Sequence, residues 1–255
     1  PNGAGKTTTM RILATLLEPT RGQGFINGME VGANGLKVRR MVGYMPDFMG
    51  VYDDLKVYEY LEFFAAAFGL DRSKRKAVIG DVLELTDLTV KRSSPVDGLS
   101  RGMQQRLQLA RVLIHDPKVL ILDEPASGLD PRARIEIREL LRELKKMGKT
   151  IMISSHILSE LEEMCDHIGI IERGKLIFSG TMAEISARMG LSLKVHVRVV
   201  GDPAAAADIL RSLPQVADVQ LAGDGFDVTL ADGQTGDGII ARTLVRAGID
   251  VVAIV

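Results

Sequence analysis

The chain has 255 residues, 46% of them hydrophobic and 25% charged, the composition of an ordinary globular protein with ample material for a buried core. A formal net charge of −1 gives no support for broad electrostatic binding to nucleic acid or anionic lipid. No apolar run approaches the roughly 18 residues needed to span a bilayer, so any membrane role must come through a partner.

The chain opens on Pro1-Asn2-Gly3-Ala4-Gly5-Lys6-Thr7-Thr8, the closing part of the phosphate-binding pattern G-x-x-x-x-G-K-[ST], whose first glycine falls one residue before Pro1. Small residues let successive backbone N–H groups turn inward around a triphosphate, and the helix that follows adds its positive dipole end. Lys6 supplies a mobile charge for the outer phosphates and Thr7 a hard hydroxyl ligand for Mg2+. The buried strand that normally feeds such a loop is not in the sequence. The chain is therefore expected to be a piece of a longer protein, and by itself to bind a nucleotide poorly.

The spacing of Ile12, Leu13, Leu16 and Leu17 predicts a helix from Lys6 to about Leu17, ended by the turn residues Glu18–Gly22. Gln23–Gly32 reads as strand, turn at Asn27-Gly28, strand, and Arg40–Pro46 as a further strand. From Val57 to about His115 the pattern is helical: Leu61–Phe68, Val78–Leu85, and a helix from Arg101 to Ile114. These helices suggest a helical subdomain, about residues 50–116, inserted into an α/β core.

Val119-Leu120-Ile121-Leu122 is an uninterrupted run of the kind found in a strand buried on both faces of a parallel sheet. A helix is expected from Pro131 to about Met147, then a strand at Thr150–Ser154 and a short helix at Ile157–Cys165. Two strands, His167–Glu172 and Lys175–Ser179, follow, joined at Arg173-Gly174. This alternation implies a parallel α/β sheet. Cys165, the single cysteine, excludes an internal disulfide and fits a reducing cytosol.

A boundary is expected near Met189-Gly190. Beyond it come strand (Ser192–Val200), helix (Pro203–Leu213), strand (Val216–Ala222), strand (Phe226–Leu230), helix (Gly236–Ala247) and strand (Ile249–Ile254). That βαββαβ order fits a small ferredoxin-like module without a chemical constellation of its own, suited to regulation or assembly.

Asp123 and Glu124 end the apolar strand at the edge where α/β sheets bind ligands. Asp123 can hold Mg2+ through its water shell while Glu124 orients or deprotonates an attacking water. Around this pair the sequence resembles the ATP-binding cassette ATPases. Leu99-Ser100-Arg101-Gly102-Met103-Gln104-Gln105-Arg106 is similar to that family's signature, Ser127-Gly128-Leu129-Asp130 to its D-loop, and Ser154-Ser155-His156 to its switch histidine. Tyr44-Met45-Pro46-Asp47 falls where its Q-loop belongs. The resemblance covers residues 1–189.

The resemblance implies a P-loop NTPase of RecA-like core with an inserted helical subdomain (1–189), followed by the accessory module 190–255. It implies that Asn2, Gly3, Ala4, Gly5, Lys6, Thr7 and Thr8 cradle ATP, with Thr7, Asp123 and Asp47 toward Mg2+, and Glu124 and His156 as the catalytic pair. Ser100 and Gly102 of a second subunit would close over the γ-phosphate, with Asp130 at that interface. The partners implied are a second ATPase subunit forming a homodimer and transmembrane permease subunits, with no nucleic acid. The location implied is cytoplasmic, peripheral on the inner face of the cell membrane through the permease.

Two departures stand out. Arg101 and Met103 replace the family's usual glycine and glutamine in the signature, and Asp47 replaces the Q-loop glutamine with a shorter, charged side chain. These features and the C-terminal module resemble the drug-resistance and gliding-type exporter branch. The alternatives are a soluble cassette ATPase acting on DNA or the ribosome, and a nucleotide-dependent regulator that does not hydrolyse ATP. His115, His167 and His196 have no such context and receive no role.

Overall fold

The computed structural model describes residues 2–48, 50, 54–157, 161, 164–181, 184–185, 194–230 and 237–254. The chain divides into two compact units, Pro1–Cys165 with Ile171–Leu176, and Asp166–Ile170 with Ile177–Val255.

In the first unit, helix α1 (Lys6–Leu13) precedes a hairpin of β1 (Phe25–Ile26) and β2 (Met29–Glu30). Its turn residues Asn27 and Gly28 have φ of 48° and 74°, the left-handed pair that an Asn-Gly hairpin adopts without strain. Helix α2 (Gly35–Met41) then runs into β3 (Val42–Met45), followed by α3 (Val57–Ala67), α4 (Arg72–Leu85), a short 3₁₀ turn at Thr89–Lys91 and α5 (Arg101–Leu113). Strand β4 (Val119–Leu122), helix α6 (Pro131–Lys146) and strand β5 (Thr150–Ile153) complete the series. Strands β3, β4 and β5 form a parallel sheet in that order, with Met45 opposite Leu122 and Leu122 opposite Ile153.

The apolar run of β4 is buried on both faces, as its sequence requires. Ile121 packs with Met10, Ala14, Val31 and Val38 beneath α1 and α2. Leu120 and Leu122 point the other way, into a core shared with α3 through α6 that includes Tyr60, Leu83, Leu107 and Leu141. Helix α6 carries Pro131 in its first turn, and Gly148 ends it with φ 83°. The Gly148 N–H donates to Lys145 O and the Lys149 N–H to Leu144 O, which satisfies carbonyls the helix would otherwise leave open.

Two sequence expectations differ from the structure. Helix α1 stops at Leu13 rather than about Leu17, because Thr15 turns left-handed at φ 63° and the Leu16 N–H folds back onto Arg11 O. Leu16 and Leu17 are consequently exposed. Arg40 and Met41 belong to α2, not to a strand; the short helix is held by Val38, which is fully buried. Most of the helix expected at Ile157–Cys165, and the boundary at Met189-Gly190, lie outside the described residues.

Strands β6 (Ile168–Glu172) and β7 (Lys175–Gly180) form a two-stranded sheet whose turn residues Arg173 and Gly174 have φ of 48° and 75°. The C-terminal run is β8 (Lys194–Val199), α7 (Pro203–Arg211), β9 (Val216–Ala222), β10 (Gly225–Leu230), α8 (Asp237–Arg246) and β11 (Val251–Ile254). Its antiparallel sheet has the order β11-β8-β10-β9. Val195, Val197, Phe226 and Val228 face Ala206, Leu210, Ile240 and Leu244 across a core of its own.

Candidate active site

The parallel sheet delivers three segments to one edge. Asp47 follows β3, Asp123 and Glu124 follow β4, and Ser154, Ser155 and His156 follow β5. Because the strands are parallel and in register, these residues converge where side chains of consecutive loops can meet.

Ser154 is the joint. Its Oγ donates to Asp123 Oδ1 at 2.6 Å and accepts the Glu124 N–H at 2.9 Å, while its own N–H donates to Leu122 O. Asp123 is 2% exposed and Ser154 4%, so this bond is shielded from competing water. The Asp123 N–H is held by Met45 O at 2.8 Å. Both backbone and carboxylate of Asp123 are thereby fixed.

Glu124 adopts φ 50°, a left-handed conformation that a non-glycine residue takes only when its surroundings enforce it. The Ser154 bond on its N–H and the Ser127 N–H donating to its carbonyl supply that enforcement. Its carboxylate Oε2 lies 3.0 Å from His156 Nδ1, the separation of an imidazole donating to a carboxylate. Glu124, Gly128, Ser154 and His156 line one cleft together with Ile153 and Met164.

The phosphate-loop residues present a different surface. Gly3 and Gly5 both turn left-handed, with φ of 73° and 106°, and Gly5 caps α1 without any side-chain hydrogen bond. No acidic residue sits in the first turn of α1, so no carboxylate of that turn competes with an incoming anion for its leading N–H groups. Thr7 and Thr8 are exposed, Lys6 is half-buried, and Ala4 is buried beneath the loop. Ala4 is braced from behind: its carbonyl accepts the Gly174 N–H at 2.9 Å. A Cβ added at Gly5 would stand 3.6 Å from Gly174 Cα, so loop and turn lie in contact.

Ser100 and Gly102 stand at the start of α5. Ser100 Oγ caps the helix by accepting the Met103 N–H at 3.3 Å, and a Cβ at Gly102 would come 3.0 Å from Ala133 Cβ on α6. Asp130 caps α6 through the Ala133 N–H at 3.0 Å. Asp47 sits exposed on the bend after β3. The carbonyl before it, Pro46 O, accepts a hydrogen bond from Gln108 Nε2 at 3.2 Å, and Gln108 also donates to Gln105 Oε1. Burial pushes the Tyr44 phenol above its usual value; the charges of Asp123 and Asp47 add to that and Arg11 opposes it.

The structure therefore brings Asp123, Glu124 and His156 into one hydrogen-bonded group through Ser154. Three supports escape sequence reasoning: Ser154 as the joint, Gly174 as the brace of Ala4, and the Gln105–Gln108 pair beneath Pro46. Only the last leaves a signal, two polar residues on the buried side of an amphipathic helix.

A glycine-turned loop leading into α1 and an acidic pair ending a buried parallel strand are the marks of an α/β nucleoside triphosphate-binding fold of the P-loop kind. Residues 1–127 match the family model described as ABC transporter. The chain is 34% identical over 219 residues to the linearmycin resistance ATP-binding protein LnrL of Bacillus subtilis (strain 168), covering 86% of this chain and 70% of that protein. It is 39% identical over 221 residues to the Nod factor export ATP-binding protein I of Burkholderia orbicola (strain AU 1054), covering 86% of this chain and 72% of that one. A third relative, an ABC transporter ATP-binding protein of Synechocystis, is 41% identical over 188 residues. That match covers 72% of this chain, which spans about half the length of the relative (52%). Among solved structures, the ATP-binding subunit of an ABC transporter superposes with a TM-score of 0.66 at 34% identity, over 75% of this chain and 80% of the other. The cbiO1 protein of Clostridium perfringens, part of the cbiONQ complex, gives 0.65 at 28% identity, over 75% and 78%. The chain belongs to the family of ABC transporter ATP-binding proteins.

Proposed function

We propose that the protein containing this chain hydrolyses ATP to power a membrane transporter of the export type. The arrangement of Asp123, Ser154, Glu124 and His156 carries this reading. It aims a carboxylate, oriented by an imidazole, into the cleft at the sheet edge. The names of the relatives from Bacillus and Burkholderia, resistance and export, support the direction of transport.

In this mechanism Asn2 to Thr8 hold the triphosphate through backbone N–H groups and Lys6. Glu124 takes the proton of the attacking water, and His156, hydrogen-bonded to Glu124, keeps the carboxylate turned toward it. Thr7 and Asp123 fit Mg2+: the ion takes hard oxygen ligands and keeps most of its shell as water and phosphate, so a hydroxyl and one rigidly held carboxylate suffice. When bound, the ion neutralises charge developing on the transferred phosphoryl group. Asp47, on the loop after β3 at the same edge, would approach the ion or its water.

A second copy of the chain supplies Ser100 and Gly102 to the γ-phosphate and Asp130 to the interface, so that two ATP molecules are held between two cassettes. The exposed position of Ser100 at a helix N-terminus without acidic residues supports this. Closure excludes water, and hydrolysis removes the bridging charge and reopens the pair. Separate transmembrane permease chains couple that cycle to transport and hold the ATPase on the inner face of the membrane; no helix among the described residues is long and apolar enough to cross one. Residues 1–189 form the ATPase domain, with the helices between about 50 and 116 as its inserted subdomain. Residues 190–255 form a ferredoxin-like module that regulates or assembles the pair; its strand order β11-β8-β10-β9 supports that fold.

The test is Glu124→Gln in the complete protein. ATP binding is retained and turnover falls by at least two orders of magnitude, as expected when a group acts mainly in the transition state. Undiminished turnover would remove Glu124 from its role.

A further inference from the structure

Arg101 has no part in the mechanism above, yet it is placed in a revealing way. It is the first residue of α5, directly after the Ser100 cap. A Cβ built on Gly128 would fall 2.4 Å from its Cζ and 2.5 and 2.7 Å from its terminal nitrogens. The guanidinium therefore lies flat against the backbone at Gly128, in space that any other residue's Cβ would claim.

Charge does not account for this position. Neither α5 nor α6 carries an acidic residue in its first turn. The Arg101 guanidinium forms no hydrogen bond or ion pair among the described residues. A cation in the first turn of a helix also opposes the helix dipole. What suits the site is shape, since a planar guanidinium fills the space left by the missing Cβ of Gly128 in a way that a lysine ammonium does not.

The loop beneath it runs from Glu124 to Asp130. At one end the Ser127 N–H donates to Glu124 O, and at the other Asp130 caps α6. Gly128, with φ 65° and exposed, is the point between them that no side chain of its own can fix. The two helices that flank it are in tight contact where Gly102 meets Ala133, so they provide a firm base for the arginine.

We propose that Arg101 is a positioning residue. Packed on Gly128, it locks the loop that follows Glu124 to the signature helix of the same chain, and so holds the Glu124 carboxylate in its left-handed, water-facing orientation. The inference rests on the reading of Glu124 given above.

Steady-state ATP hydrolysis by the complete protein with its partner subunits, measured across ATP concentrations, tests it. Arg101→Ala lowers kcat about tenfold while KM for ATP and the affinity for a fluorescent ATP analogue stay within about twofold, because the phosphate loop is untouched. Arg101→Lys, which keeps the charge and loses the plane, does not restore kcat. Gly128→Ala lowers kcat in the parent and by a smaller factor in the Arg101→Ala background, since both changes remove one contact. A raised KM at unchanged kcat, or rescue by lysine, overturns the proposal in favour of a direct charge on phosphate. Unchanged kinetics in Arg101→Ala overturns it outright. Glu124→Gln, run in parallel, separates the two levels: if that variant hydrolyses ATP at the parent rate, the reading of Glu124 fails and this proposal falls with it.

Discussion

Ser154 holds Asp123: its hydroxyl donates to the carboxylate at 2.6 Å from the neighbouring strand, within a site almost closed to solvent. The same oxygen accepts the Glu124 N–H at 2.9 Å, so one hydroxyl couples the residue assigned to the metal with the residue assigned to the water. Ser154→Ala removes a hydrogen bond to a charged group and leaves the Glu124 N–H without its acceptor. The expected cost is about 2 kcal/mol. A urea titration that follows the parallel sheet should show a lower midpoint with an unchanged slope. An unshifted midpoint would mean the bond has no net weight.

At Gly43, β3 packs closely against α5. A Cβ there would stand 2.4 Å from Val112 Cγ1 and 3.0 Å from both Pro117 Cγ and the Val112 carbonyl. The carbonyl belongs to the helix backbone and cannot swing aside. Gly43→Ala should therefore destabilise the first unit by about 1–3 kcal/mol through overpacking, read as a lowered thermal midpoint. Wild-type stability would show that β3 can shift without penalty.

In the C-terminal sheet, His196 Nδ1 lies 2.7 Å from Asp227 Oδ1, with Asp224 on its other side, itself bound to Arg198. The Asp227 hydrogen bond is the main cause that raises the imidazole above the ordinary histidine value of 6.5, with Asp224 adding and desolvation opposing. The sign follows from linkage. The charged pair stabilises the sheet fully below 6.5, and that contribution is lost as pH rises through the elevated folded-state value. NMR titration of the His196 ring should place its midpoint above 6.5, and Asp227→Asn should bring it back toward that value. A midpoint at or below 6.5 in the parent contradicts the pairing.

The parts of this fold that were legible in the sequence are those fixed by local chemistry. Asn27-Gly28 and Arg173-Gly174 announce turns because their residues accept positive φ. Val119–Leu122 announces a two-sided strand, and Pro131 with Gly148 bracket a helix. The end of α1 was illegible because Thr15, a β-branched residue, takes a left-handed conformation that its type disfavours. The order of Asp123, Glu124 and His156 along the chain pointed to a common edge. The bonds that make them one group depend on the parallel register of β4 with β5, which sets Leu122 opposite Ile153 and so brings Ser154 beside Asp123. The same holds for Arg101 and Gly128: the sequence marks each within its own motif, and only packing joins them.

The bond from Gly174 to Ala4 ties the first turn of the chain to one of the last segments of the same unit. A contact of such long sequence separation can form only after nearly all of that unit has been synthesised. On the ribosome, the opening loop must wait, unbraced, for its support to emerge. The brace is thus available only once residue 174 has emerged, and a polypeptide interrupted before it lacks that support however well its helices have formed.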